Sequence, residues 1–358
     1  MKPLAAAALA GLVPLASTAS TLEERVDALE KRSAEIYHTL EEKKGAGLMT
    51  RISERVAVSG LLEVEAGFER VSVDGGPDED ASDLVLATAQ LGFDVRIAEP
   101  VGGTLIFLFE EDETEPIEVD EATVDYARDG WSARIGRQYV PFGVFPSHFV
   151  SDPLTLELGE TRETALAVSY AANGFTVSGF LFNGDVEKAG DDDHLRDWGA
   201  ALGWAPAPGL ELGASLLSDL ADSDAEVAGS SYGDRVPGWS AYGVAALGPV
   251  ELLGEVLGAV ESFDPADLDA DGDGDGDRPF AWNVELAWGV APTVELAARL
   301  EGSREFVDQP ELQFGAVVSW SPWAGVSLSG EYLRGSFDKD FGGDQTRDLV
   351  TLQLAAEF

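Results

Sequence analysis

Leu349–Phe358 reads LVTLQLAAEF. Val350, Leu352, Leu354, Ala356 and Phe358 fall on one side of a two-residue period, and Thr351, Gln353, Ala355 and Glu357 on the other. Successive side chains of a pleated strand point to opposite faces, so the segment predicts a strand, not a helix.

The same period returns through most of the chain. Val56, Val58, Leu62, Val64, Ala66 and Phe68 share a face opposite Ala57, Ser59, Glu63, Glu65 and Glu69. Val85, Ala87, Ala89, Leu91, Phe93, Val95 and Ile97 oppose Thr88, Gln90, Asp94 and Arg96. Further runs lie near 103–111, 119–128, 131–139, 163–171, 175–183, 196–204, 210–218, 238–246, 250–261, 280–288, 293–303, 311–320, 326–334 and 348–358. The total is about sixteen strands, an even number as bacterial membrane barrels have.

The connections alternate between short and long. EPVGG, RDG, AANG, APAPG, LGP, GVAPT and SPWAG carry the Gly, Pro, Asn and Asp of tight turns. Between them come long, mostly acidic segments: VSVDGGPDEDASD, EDETEPIE, the stretch from Val140 to Arg162, NGDVEKAGDDDH, DLADSDAEVAGSSYGDRVPG, FDPADLDADGDGDGDR, REFVDQPE and RGSFDKDFGGDQTR. A water-soluble sandwich has no reason to sort its loops this way, whereas a membrane barrel has short periplasmic turns and long outer loops. Trp131, Phe175, Trp204, Trp288, Trp320 and Trp323 recur where strands meet turns, the depth that aromatic rings favour in a bilayer.

Composition agrees. In 358 residues there are 23 Lys and Arg against 66 Asp and Glu, a net charge of −43 that disfavours nucleic acid as a partner. Cysteine is absent from the sequence, so no disulfide framework is expected. Beyond the N-terminus, no apolar run reaches membrane-helix length, which leaves a closed barrel as the way to satisfy every backbone group in lipid.

MKPLAAAALAGLVPLASTAS, at the start, has the basic, apolar and small-residue parts of a signal peptide, with cleavage expected after Ala19. Leu22, Val26, Leu29, Ser33, Ile36 and Leu40 then form a heptad seam of about 20 residues, roughly 30 Å of helix. Such a helix either assembles between subunits, as in a trimer, or packs on its own domain. The expected organisation is a signal peptide at 1–19, a periplasmic coiled-coil-like helix at 20–45, a linker at 46–53 and an all-β transmembrane barrel at 54–358.

With the apolar face toward lipid and lipopolysaccharide, the opposite face lines the lumen. It carries Glu63, Glu65, Glu69, Asp94, Glu121, Asp125, Glu211, Glu251, Glu255, Glu285, Glu295, Glu301 and Glu331, with Arg96, Arg134 and Arg299 as the main basic partners. These carboxylates either wet the lumen and pair across strands, or bias permeation toward cations. The third long loop contains Pro141, Phe142, Phe145, Pro146, Phe149, Pro153, Leu154, Leu156 and Leu158. A loop that apolar is not expected to sit in water. Folded inward it brings His148, Asp152, Glu157, Glu160 and Arg162 to a constriction, near Glu121, Asp125, Arg134, Arg137 and Tyr139; packed over the mouth or against a neighbouring subunit it does not.

GRQYVPFG from Gly136 to Gly143 and SDPLTLELGETRETAL from Ser151 to Leu166 resemble the signature of the LbtU-type siderophore porins. The resemblance implies an outer-membrane barrel engaged in uptake of ferric siderophores or other iron chelates. The last strand with its terminal Phe358 likewise resembles the signature that outer-membrane barrels present to their insertion machinery.

DLDADGDGDGD from Asp267 to Asp277 offers Asp267, Asp269, Asp271, Asp273 and Asp275 at alternate positions, as calcium loops do. Arg278 stands where an EF-hand needs its bidentate Glu, so the segment is either a looser Ca²⁺ site or a solvated acidic loop. No other cofactor is expected. Catalysis is disfavoured because the chain has three histidines, His38, His148 and His194, and none reads as a wall residue beside a serine. The expected function is passive diffusion of small solutes, iron chelates among them; the alternatives are a general cation-preferring porin and a barrel that anchors an envelope tether.

Overall fold

Residues 55–358 are described by a computed structural model, apart from 112–115, 191–193, 230, 342 and 344. The signal peptide, the heptad helix and the linker lie outside the described residues.

The alternating runs form strands β1 (Val56–Val73), β2 (Glu79–Ala98), β3 (Val101–Phe109), β4 (Glu118–Arg128), β5 (Trp131–Tyr139), β6 (Arg162–Ala172), β7 (Phe175–Phe182) and β9 (Asp197–Ala207). They continue as β10 (Leu210–Leu217), β12 (Gly238–Leu247), β13 (Val250–Ala259), β14 (Phe280–Ala291), β15 (Val294–Arg304), β16 (Leu312–Trp323), β17 (Val326–Ser336) and β18 (Gln345–Glu357). These sixteen close into one antiparallel barrel in which β1 pairs with both β2 and β18. Phe358 completes the ring by exchanging backbone hydrogen bonds with Gly60 in both directions, at 3.0 and 3.1 Å. Two short strands outside the barrel, β8 (Glu187–Lys188) and β11 (Ser231–Tyr232), pair in parallel and tie two of the long loops together.

Closure has a physical cause at each end. Asp129 and Gly130, with φ of 55° and 82°, and Asn173 and Gly174, with 53° and 78°, take the positive dihedrals that two-residue hairpins require. At the opposite end the long connections span 140–161, 183–196, 218–237 and 260–279. The first acidic segment differs from its expected form. β1 and β2 continue pairing past it, with Val71 opposite Glu79, and only 74–78 remain as loop. The ladder satisfies backbone groups as well outside a membrane as inside, and Arg70 holds Asp78 at 2.5 Å across the ribbon.

Burial follows the period. Val58, Leu62, Val64 and Phe68, or Val350, Leu352 and Leu354, are exposed on the outside, while Glu63, Glu65 and Thr351 between them are buried. An apolar band of this extent around a closed barrel fits a lipid surface. Trp131 with Tyr170 at 4.8 Å between ring centroids, and Phe175 stacked on Trp204 at 5.6 Å, mark its short-turn rim.

Inside, the third long loop makes the core. Val140, Phe142, Leu154 and Leu158 pack with Phe180, Phe182, Leu217, Leu257 and Phe263 from the wall and from other loops.

Candidate pore constriction

The loop at 140–161 contains almost no ladder of its own, so its backbone N–H groups must find acceptors elsewhere. The barrel wall supplies them. Glu255 accepts from the N–H groups of Val144 at 3.0 Å and Phe145 at 2.8 Å, and Glu285 from His148 N–H at 2.8 Å and Ser147 Oγ at 3.0 Å. Glu331 accepts from Val150 N–H at 2.7 Å, Ser151 N–H at 3.1 Å and Ser151 Oγ at 2.5 Å. Glu301 accepts from Leu154 N–H at 2.9 Å, at the start of α1 (Leu154–Gly159), where Pro153 offers no side-chain cap. Ser215 Oγ accepts from Gly143 at the loop's entry.

Arg299 secures the middle. Fully buried, it donates Nε to Glu285 at 2.8 Å, Nη1 to the Asp152 carbonyl at 3.1 Å, and Nη2 to the Ser151 carbonyl at 2.9 Å. Its guanidinium lies 4.3 Å from the Phe149 ring centre, and Phe149 packs on Ala287, Ala297 and Val317. His148 places Nδ1 2.9 Å from Glu295 and Nε2 3.2 Å from Glu251. Burial by itself would lower the His148 pKa, but hydrogen bonds and charge from Glu251 and Glu295 overcome this and raise it to about 10.

Two glycines let the loop lie this close. Gly143 has φ of 72°, and a Cβ on Gly159 would sit 2.2 Å from Leu257 Cδ1.

The opposite arc of wall is built differently. On β4 and β5, Arg134 donates Nε to Asp125 at 2.8 Å and approaches Glu121 at 3.5 Å, while Thr104 on β3 reaches Asp94 at 3.0 Å. Arg134, Asp94 and Arg96 are exposed on this inward row. Glu63 and Glu65 lie on the same row of β1, and Gln353 donates to Glu65 at 2.9 Å.

Among solved structures, the chain is similar to the outer membrane channel DcaP of Acinetobacter baumannii, with a TM-score of 0.61, 16% identity and 85% of this chain against 97% of that one. Salmonella typhi OmpF, solved with daunomycin, gives 0.57 at 12% identity over 85% and 97%. A Rh. blastica porin variant gives 0.52 at 13% over 85% and 100%. The fold is that of the bacterial outer-membrane porins. No protein-family model matches the chain. Among curated proteins, a UPF0422 protein of Coxiella burnetii is 27% identical over 271 residues, 70% of this chain and 57% of its own length. A UPF0422 protein of Legionella pneumophila (strain Lens) is 25% identical over 234 residues, 58% of this chain and 43% of its own. The chain thus spans about half the length of the curated relatives it matches.

Of the residues expected at the constriction, His148 and Asp152 lie in the loop against the wall, and Glu121, Asp125 and Arg134 line the facing arc. Arg137 does not join them. It shares the row of exposed Trp131 and Ile135, opposite Ala122 and Thr164, and faces outward. Tyr139 and Arg162 pair with each other in that row at the loop end. There Arg162 binds Glu118 at 2.6 Å and Asp120 at 2.9 Å, and the Tyr139 hydroxyl donates to Asp120 at 2.8 Å. Glu160 stands by them, its pKa pushed up to about 8 by burial and by the charges of Asp224 and Asp120. The period of two, carried through Gly136, decides this shift from lumen to rim. Glu157 lies on α1, partly buried.

In the acidic segment, one carboxylate oxygen each from Asp269, Asp271 and Asp273 gathers within 4.8 Å. Asp267 instead accepts from Gly233 N–H at 2.9 Å, and Asp275 is not in that group.

The anchoring role of Glu255, Glu285, Glu301 and Glu331 was not readable from their inward positions. The available signal was a long apolar loop full of unpaired N–H groups entering a wall rich in acceptors.

Proposed function

We propose that the chain forms a water-filled outer-membrane channel for passive diffusion of small solutes, with cations preferred. The observation that carries this reading is the asymmetric lumen. One arc binds the inward loop with its glutamates, and the facing arc keeps Asp94, Glu121 and Asp125 beside a passage where Arg96 and Arg134 are the nearby bases. Carboxylates around a narrow aqueous path concentrate cations and repel anions. Insertion into planar bilayers under a KCl gradient tests it. A reversal potential of the sign set by K⁺ permeation supports the reading, and one set by Cl⁻ overturns it.

Uptake of iron chelates is the narrower form of this proposal, supported by the resemblance in 136–143 and 151–166. An acidic lumen restricts it to neutral or cationic chelates. Stepwise blocking of single-channel current by a ferric siderophore added on one side would support it, and unchanged current at saturating chelate would leave a general porin.

A channel rather than an enzyme is favoured by His148. Both its ring nitrogens are engaged by carboxylates, which leaves neither to activate a nucleophile. Assembly into trimers is part of the proposal, supported by an OmpT of Vibrio cholerae solved in a trimer form, similar at a TM-score of 0.53 and 12% identity. Size-exclusion chromatography with light scattering in detergent reads it directly.

A further inference from the structure

We propose that the loop end of the barrel binds a divalent cation, calcium by its ligand chemistry, between Asp197, Asp219 and Asp222. This site is separate from the exposed acidic segment at 267–277 and from the constriction.

The three carboxylates come from two parts of the chain. Asp197 opens β9, whereas Asp219 and Asp222 bracket a single 3-10 turn, Leu220–Asp222, in the connection 218–237. One oxygen from each lies within 4.8 Å of the others. All are buried: Asp197 is 1% exposed, Asp219 0% and Asp222 4%. Arg235 pairs with Asp197, and no ion pair reaches Asp219 or Asp222 among the described residues. Burial raises the pKa of Asp219 and Asp222; with all three carboxylates ionised against one guanidinium the site carries two negative charges, which are strongly unfavourable to bury unless a cation joins them.

A second observation points to a ligand. Asp219 Oδ1 accepts from Ala221 N–H at 3.2 Å and Asp222 Oδ1 from Val186 N–H at 3.1 Å. The Oδ2 atoms of both are buried with no hydrogen-bond partner, although buried polar atoms are nearly always satisfied. The next residue, Ser223, leaves its hydroxyl buried and unpartnered as well.

Backbone closes the remaining side. Gly184 donates its N–H to Asp197 Oδ2 at 3.2 Å, and a Cβ built on it would lie 2.1 Å from Asp222 Oδ1 and 2.4 Å from Oδ2. Any larger residue there would fill the space beside the carboxylate.

Ligands that are all oxygen select a hard cation, and the two surplus charges match a divalent one. Bound there, the ion would join the start of β9 to 218–237, next to the place where β8 and β11 already tie 183–196 to that same connection. It would brace the loops that cover Leu217, Leu220 and Tyr232 in the core.

The test uses the full chain refolded in detergent, freed of lipopolysaccharide and stripped with EDTA, then titrated calorimetrically with Ca²⁺. We expect one saturable event at or below roughly 10⁻³ M, the range of extracellular calcium modules. It should weaken tenfold or more in Asp222→Asn and in Asp219→Asn and persist in the double variant Asp269→Asn/Asp271→Asn. Absence of a saturable event, or loss of it only in the double variant, overturns the proposal. Should the asparagine variants fail to refold, crystals of the unaltered chain soaked in Tb³⁺ decide. An anomalous peak between the three carboxylates upholds the site, and peaks confined elsewhere refute it.

Discussion

On β13, β14, β15 and β17, the inward glutamates 255, 285, 301 and 331 meet the N–H groups of a loop pressed against them. On β2 and β4, Asp94, Glu121 and Asp125 sit on the same inward row and meet a threonine hydroxyl or a half-exposed arginine. One residue type at one strand parity therefore serves two purposes. Where apolar chain covers the wall, a carboxylate is a structural acceptor for orphaned backbone donors; where the wall is bare, it remains a charge presented to the passage. The excess of acid in the lumen thus overstates the charge that a permeating ion meets.

Removing the cation that the covered arc is built around should have the largest effect. Arg299→Met leaves Glu285 and Glu301 buried without their partner and should cost about 3–5 kcal/mol. Urea unfolding in detergent measures the loss, and single-channel records should show noisier, larger conductance as the loop detaches. If stability and conductance both stay unchanged, the covered arc is not held as described.

Glu331→Gln is a smaller perturbation. The amide oxygen can keep the N–H groups of Val150 and Ser151 while its NH₂ turns to Ser151 Oγ, but the charge that strengthens these bonds is lost, so a cost of about 1–3 kcal/mol is expected. The same change on the bare arc, Glu121→Gln, should be within about 0.5 kcal/mol in unfolding. The comparison between these two variants is the sharpest single check on the two-arc description.

The His148 contact adds a dependence on pH. Its pKa is raised from 6.5 to about 10, so the stabilisation from the protonated ring is complete below 6.5, shrinks between 6.5 and about 10, and is gone above that. Channels should become noisier as pH rises through about 10, and His148→Gln should remove that change. A transition that persists in the variant would assign it to another group.

The smallest expected effect on stability is the most direct on selectivity. Glu121→Gln together with Asp125→Asn should leave unfolding nearly unchanged and reduce the preference for cations, read from the reversal potential. An unaltered potential would move the selectivity away from the bare arc.

How much was legible beforehand varies along the chain. Runs such as Val56–Phe68 and Leu349–Phe358 show their strands openly, because one side must be apolar for lipid and the other polar for water. The inward fold of 140–161 also followed from its own composition. For Arg137 and Tyr139, nearness to the loop misleads, because strand parity puts both in the row of Trp131 and Ile135. The first acidic segment reads as loop because Asp, Gly and Pro dominate it, yet paired backbone extends through most of it. Asp197, Asp219 and Asp222 were invisible as a group: they are separated in the chain and join only where β9 meets the turn at 220–222.

Local order came from the sequence by itself, because a side-chain period of two and turn residues such as Asp129-Gly130 act over a few neighbours. The even strand number, the sorting of loops by length and the two-faced wall all rest on such local rules. Only the tertiary structure decided which carboxylates hold backbone, which face the passage and which crowd together at the loop end. The first of those roles depends on what lies across the barrel, at separations of a hundred residues or more, as between Val144 and Glu255, and the last on two segments that meet only when β9 is paired.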